Sequence, residues 1–162
     1  MIVANSSPII ILAKQGMLDI LKKCFEKVII PESVYNEIIA KEDSTELIAI
    51  EKAIKSEWIA VQAASITPEL DTKNIGIGEK EAISLAIKHK CILLIDDDTA
   101  RKYASIFGVE AHGTLYVIFV ACLRKLIDKS TARKVIENMI AYDFYISSEL
   151  YSRFLSLLDR IE

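Results

Sequence analysis

The residues best suited to chemistry stand together at Asp96-Asp97-Asp98, where the apolar run Cys91-Ile92-Leu93-Leu94-Ile95 ends. A short continuous apolar run bounded by polar residues reads as a strand buried on both faces, as in a parallel sheet. Adjacent carboxylates leaving one strand repel each other, and a hard divalent cation relieves that repulsion because it takes oxygen ligands. Further acids or amides stand where other apolar runs end or helices begin: Asn5, Glu37, and Glu79 with Glu81. Ligands of open α/β sheets bind beyond the carboxyl ends of the strands, so these positions are candidates for one shared site. Plainer roles are open to some of them. Glu79 and Glu81 suit a helix N-terminus through its dipole, and Glu37 one turn before Lys41 forms an ordinary helical pair. The segment Gly76-Ile77-Gly78-Glu79-Lys80-Glu81 resembles half of a phosphate-binding glycine loop, but one glycine is missing, and Glu79 would repel a phosphate. His112, before Gly113, reads as a structural or surface residue at a turn, with a proton carrier at the sheet's functional edge as the lesser alternative.

The elements that must position these residues alternate in type along the chain. Ile2-Val3-Ala4 is a strand candidate, and Asn5-Ser6-Ser7-Pro8 caps a helix that runs to about Lys14, where Gly16 stops it. A helix over Met17 to Phe25 follows, then the strand Val28-Ile29-Ile30 and a helix opened by Pro31, with Val34, Ile38 and Ile39 inward. Thr45 to Lys55 reads as an amphipathic helix and Ile59-Ala60-Val61 as a third strand. Ala63 to Ile77 is the longest irregular connection, of a length that is often functional. A helix over Glu79 to Lys88, the Cys91–Ile95 strand, a helix through Phe107, and a short strand Val109-Glu110-Ala111 come next. Thr114 to Ile127 reads as a largely buried helix. Two further helices, about Thr131 to Ala141 and Ser148 to Leu158, close the chain. The expected organisation is a single domain over residues 1–162, with the last two helices (about 130–160) as a C-terminal extension.

Composition excludes several classes. The 162 residues are 52% hydrophobic and 27% charged, which is the make-up of a folded domain and not of a disordered chain. Cys24, Cys91 and Cys122 are far apart and lie in apolar contexts, as reduced thiols of a cytoplasmic protein do. No cysteine pair has zinc-ligand spacing, and there are two histidines only. No membrane segment is expected: Leu115 to Leu123 stops at Arg124-Lys125, short of the roughly 20 residues a crossing needs. Asn5-Ser6-Ser7 inside the N-terminal apolar run argues against a signal peptide. A net charge of −3 excludes a generally basic nucleic-acid binder, but not a nuclease with an acidic metal centre.

Taken in order, four segments resemble the PIN-domain nucleases, the fold of VapC-type toxin ribonucleases. They are Val3-Ala4-Asn5-Ser6-Ser7-Pro8-Ile9-Ile10, Val28-Ile29-Ile30-Pro31 through Val34 to Glu37, Gly78-Glu79-Lys80-Glu81-Ala82-Ile83, and Leu93-Leu94-Ile95-Asp96-Asp97. Each motif is short; their order and spacing over roughly residues 1 to 113 carry the match. The resemblance implies a three-layer α/β/α fold with a central parallel sheet of four to five strands and helices on both faces. It also implies an acidic quartet binding Mg²⁺ or Mn²⁺, and cleavage of RNA by metal-activated water. By position, the family's first acid falls at Asn5, the second at Glu37, the third at Glu81 with Glu79 as alternative, and the fourth at Asp96 or Asp97. Ser6 matches the hydroxyl that follows the first acid.

Asn5 departs from the pattern. An amide oxygen can coordinate a hard cation but brings no charge, which weakens metal binding and its power to lower the pKa of bound water. The expected activity is therefore phosphodiester hydrolysis, with Asp96, Asp97, Glu81, Glu79, Glu37 and the neutral Asn5 around the metal. Lys14, Arg101 and Lys102 are candidate phosphate contacts. One competing reading is a catalytically silent module using the same fold to bind RNA or protein. Another is a phosphoacceptor or phosphatase domain, which fits less well because its acceptor Asp follows the first strand, where Asn5 stands. The apolar residues of Thr114 to Ile127 and the last two helices suggest a homodimer or a partner such as an antitoxin, or else complete the monomer's own core.

Overall fold

The computed structural model describes residues 1–40 and 45–161, so Lys41, and with it the expected pair with Glu37, lies outside the described residues. The chain forms two compact units, Met1–Thr114 and Leu115–Glu162. In the first, strands β1 (Ile2–Ala4), β2 (Val28–Pro31), β3 (Ile59–Gln62), β4 (Leu93–Leu94) and β5 (Ala111–His112) form one all-parallel sheet in the order β3-β2-β1-β4-β5. The helices between them are α1 (Ser6–Lys14), α2 (Asp19–Phe25), α3 (Glu32–Ile39), α4 (Thr45–Lys55), α5 (Ile77–His89) and α6 (Asp98–Ile106). α5 packs on β1, β2 and β4, while α2 and α3 lie against β2. The architecture is the expected three-layer α/β/α fold with a parallel sheet.

The three central strands, β1, β2 and β4, are apolar throughout because both faces are covered: Ile2, Val3, Ala4, Val28, Ile29, Ile30, Leu93 and Leu94 are all buried. On one side Val3, Ile29, Leu93 and Ile95 pack with Ala82, Ile83, Leu85 and Ala86 of α5 and with Ala100 and Ala104 of α6. The connection after β3 is not an open loop. Pro68–Leu70 forms a 3-10 turn, and Leu70 and Ile75 are buried in that same core.

Sheet order places the site. From β1 the chain steps outward to β2 and β3, then returns to the other side of β1 for β4 and β5. The order reverses between β1 and β4, and the crevice beyond the carboxyl ends of those two strands is where such sheets bind ligands. Asn5 follows β1 and Asp96 follows the β4 run, whose hydrogen bonds extend beyond its assigned bounds: Val3 N–H donates to Ile92 O at 3.0 Å, Asn5 N–H to Leu94 O at 2.9 Å, and Ile95 N–H to His112 O at 2.7 Å.

Some element ends differ from the sequence expectation. α5 begins at Ile77, one turn's start earlier than Glu79, because Glu79 reaches back to the Gly76 N–H at 2.7 Å. The helix that opens at Thr114, α7 (Thr114–Leu123), stops short of Ile127. Lys125 adopts φ 57, and Lys125 and Leu126 N–H close on the carbonyls of Cys122 and Ala121, both at 2.9 Å. The second unit continues with α8 (Lys129–Ala141) and α9 (Ser148–Asp159), capped by Asp128 and Ser147 and joined by Arg133–Asp159 at 2.6 Å. Among the described residues no helix is long and apolar enough to cross a membrane.

Candidate active site

A cleft of about 600 Å³ opens at the switch point between β1 and β4. Asn5, Ser6 and Ser7 line it from the β1–α1 junction, Glu37 from α3, Gly76 to Glu79 from the start of α5, and Asp96 with Asp97 from the end of the β4 run. Four chain segments far apart in sequence thus bring oxygen donors to one place.

Asn5 is the most informative of them. It occupies the position before α1 where an Asn ordinarily bonds the helix's free N–H groups, yet its side chain makes no capping bond. The residue is 8% exposed, and its Oδ1 is a buried acceptor without a hydrogen-bond partner. Such an atom carries a desolvation cost unless something fills its lone pairs. Gly78 makes this geometry possible: a Cβ there would stand 3.3 Å from Val34 Cγ2 and 3.6 Å from both Asn5 Oδ1 and Ser33 Oγ.

The cleft carboxylates feel one another. Burial raises the Glu79 carboxyl above its ordinary range, the Gly76 N–H bond opposes this, and the negative charges of Asp97 and then Glu37 raise it further. Asp97 is exposed and also caps α6, its Oδ1 accepting from Ala100 N–H at 2.7 Å. Glu37 is exposed on α3.

Asp96 is held differently from Asp97. Its Oδ1 accepts from Thr114 N–H at 2.7 Å, and its Oδ2 accepts from Thr114 Oγ1 and Ser7 Oγ, both at 2.8 Å. The carboxylate therefore pins the end of the β4 run to α1 and to the start of α7. Gly113 permits it: a Cβ there would lie 2.8 Å from Asp96 Oδ1 and 3.1 Å from Arg101 Nη1.

Glu81, the sequence's first choice for the third acid, is half-buried and does not line the cleft. Its Oε2 accepts from both the hydroxyl and the backbone N–H of Ser33, so it ties α5 to the first turn of α3. The cleft position on α5 belongs to Glu79. Arg101 Nη1 donates to the carbonyls of Ile95 and Asp96, each at 3.0 Å, and Nη2 pairs with Asp98. The guanidinium thus braces the strand end. Lys14 and Lys102 are exposed on α1 and α6 and do not line the cleft, whereas Ser6 does and is 6% exposed.

Among the described residues no three His, Cys, Asp or Glu side chains converge closely enough to clasp an ion directly. The donor set fits a hydrated hard cation all the same. It is all oxygen, it includes a buried amide oxygen with no other partner, and its carboxylates face one solvent-filled space. Mg²⁺ is ordinarily held in this way, by one or two carboxylates with several waters retained. Ser7, Ser33, Gly113 and Thr114 are the supporting residues that sequence reasoning did not single out for the site. Gly113-Thr114, directly after the last strand, was the available signal.

The family model DUF3368, described as a PIN domain, matches residues 1–160. The chain belongs to the PIN-domain family, and its fold is of the nuclease type. Among solved structures it is similar to a PilT N-terminus domain protein, SSO1118, from the hyperthermophilic archaeon Sulfolobus solfataricus P2. That likeness has 21% identity and a TM-score of 0.47, covering 72% of this chain and 90% of that one. No curated protein matches the chain.

Proposed function

We propose that this protein is a divalent-metal-dependent nuclease that hydrolyses RNA phosphodiester bonds, with the toxin of a toxin–antitoxin pair as its setting. The observation that carries the reading is Asn5 Oδ1: a buried acceptor with no protein partner, in the same cleft as Glu37, Glu79 and Asp97. Asn5, Glu37, Glu79 and Asp97 would hold Mg²⁺ or Mn²⁺. When bound, the ion supplies an activated water and stabilises charge on the scissile phosphate. Asp96 sets the direction of the β4 end, and Arg101 locks the two carbonyls behind it, so that Asp97 faces the cleft. Glu81 sets the spacing of α3 against α5 and thereby of Glu37 against Glu79. Ser6 is placed to orient a water or a substrate oxygen.

The test is cleavage of single-stranded RNA with Mg²⁺ or Mn²⁺ by the full chain and by the Glu37→Gln/Asp97→Asn double variant, with folding followed by circular dichroism. Loss of about 100-fold in rate with folding intact supports the reading. Wild-type cleavage that persists in chelator, or in the double variant, overturns it. Family resemblance also carries an antitoxin or a second copy as partner. Tyr142, Tyr145 and Leu150, exposed on the second unit, are where that contact is sought, and the mass of the chain in solution tests the second copy.

A further inference from the structure

Ile77 is 63% exposed, and among the described residues that line the cleft it is the only one with an apolar side chain. A lone exposed aliphatic on an open surface needs no explanation. This one stands in a cleft whose other side chains are amide, hydroxyl and carboxylate, and its backbone is fixed. Gly76 before it donates to Glu79 at 2.7 Å and accepts from Lys80 N–H at 3.0 Å, while Gly78 after it is seated against Val34 beside Asn5. A β-branched side chain has few rotamers to lose, so Ile77 offers a preset apolar surface over the acidic wall.

Acids and a metal handle the phosphate of a nucleotide but give no purchase on its base. Among the described residues no aromatic side chain lines the cleft, so the apolar side-chain contact with a base falls to Ile77. Resting on the nuclease reading, the geometry points to Ile77 as the residue that receives the nucleobase beside the scissile phosphate, with purines favoured over pyrimidines because the larger ring covers more of the aliphatic surface. The substrate class is single-stranded RNA, whose bases are free to splay out of a stack onto a side chain.

The experiment uses the full chain as wild type, Ile77→Ala, Ile77→Ser and Ile77→Leu. Binding of short fluorescent oligoadenylate and oligouridylate is read by anisotropy with Ca²⁺ in place of Mg²⁺, and cleavage of a single-site RNA carrying either base class is read with Mn²⁺. The expected result is tighter binding of oligoadenylate by wild type and a loss of about five- to tenfold in Ile77→Ala and Ile77→Ser. KM should rise by a similar factor with kcat little changed, the purine preference should flatten, and Ile77→Leu should restore it. If wild type cleaves RNA but the variants match it in KM and base preference, Ile77 has no such role and the nuclease reading stands. If wild type neither binds nor cleaves RNA, both fall together. An equal drop in kcat for every substrate with no change in preference assigns Ile77 a structural role and also overturns the inference.

Discussion

Asp96 and Asp97 are adjacent carboxylates with opposite expected roles, and substitution separates them. Asp96 accepts three hydrogen bonds at 2.7 to 2.8 Å, two of them from Thr114, which is 0% exposed. In Asp96→Ala the N–H and hydroxyl of the buried Thr114 lose their acceptor. At roughly 1–3 kcal/mol for each unsatisfied group, the loss for the two is about 2–6 kcal/mol. For a chain of this size about 1 kcal/mol moves Tm by roughly 2–4 °C, so Asp96→Ala should melt below wild type by about 4–24 °C. Asp96→Asn should fall between. Its amide keeps an oxygen for Thr114 N–H and offers an NH₂ to hydroxyls that can turn to accept, losing mainly the charge assistance, about 1–2 kcal/mol.

Asp97→Asn is the contrasting case. Asn caps a helix as well as Asp does, so the bond to Ala100 N–H survives and Tm should stay within about 2 °C of wild type. What it removes is a charge in the cleft. In chelator, thermal melting followed by near- and far-ultraviolet circular dichroism reads both variants on one scale. An Asp96→Ala protein that melts like wild type would refute the assignment of Asp96 as a pin. So would an Asp97→Asn protein destabilised as far as Asp96→Ala.

Three further outcomes follow from the same geometry. Glu79→Gln keeps an acceptor for the Gly76 N–H but cannot ionise. Because the Glu79 carboxyl lies above its ordinary value of 4.5 in the fold, wild type is favoured by its proton below that pH and loses this advantage as pH rises through the folded value. The Tm difference between Glu79→Gln and wild type, both metal-free, should therefore shift in the variant's favour as pH rises from about 4 to 7; a difference that is flat or runs the other way contradicts a Glu79 carboxyl raised by burial and, beyond that, by Asp97 and Glu37. Gly113→Ala brings a methyl to 2.8 Å from Asp96 Oδ1 and should cost about 1–3 kcal/mol, seen as a lower denaturation midpoint in urea. Asn5→Asp adds a charge to the wall and should melt below wild type in chelator but show a larger Tm rise on adding Mn²⁺, about tenfold in affinity by calorimetry; an equal Mn²⁺ response in the two proteins counts against Asn5 as a metal-facing residue.

The scaffold was largely legible because its signals are local. Apolar runs at Ile2-Val3-Ala4 and Val28-Ile29-Ile30 are the strands observed, and Thr45–Lys55 is a helix with those bounds. The polar residues that end β1 and the β4 run meet at the switch point, as parallel sheets require. What could not be read was the role of each acid within a pair. Glu79 and Glu81 share the start of one helix, and their fates differ because Ser33, far away in sequence, takes Glu81. Asp96 and Asp97 are neighbours, and only the arrival of Thr114 and Ser7 turns one of them inward. Arg101 looked like a surface cation available to phosphate, but besides Asp98 one turn before it, its partners are two backbone carbonyls that no side-chain pattern advertises.

Asn5 then has a physical rationale beyond being a lost acid. The cleft already holds Glu37, Glu79 and Asp97, and the Glu79 carboxyl is raised first by burial and then further by the charges of Asp97 and Glu37. Asn5 is the most buried of the cleft's candidate ligands, so a charge there would be the costliest to desolvate and the least screened by solvent. A neutral amide keeps an oxygen aimed at the site without that cost to the metal-free fold. The balance it strikes is between apo stability and metal affinity. Asn5→Asp measures both sides of that balance in one protein, since a single substitution should move the two in opposite directions.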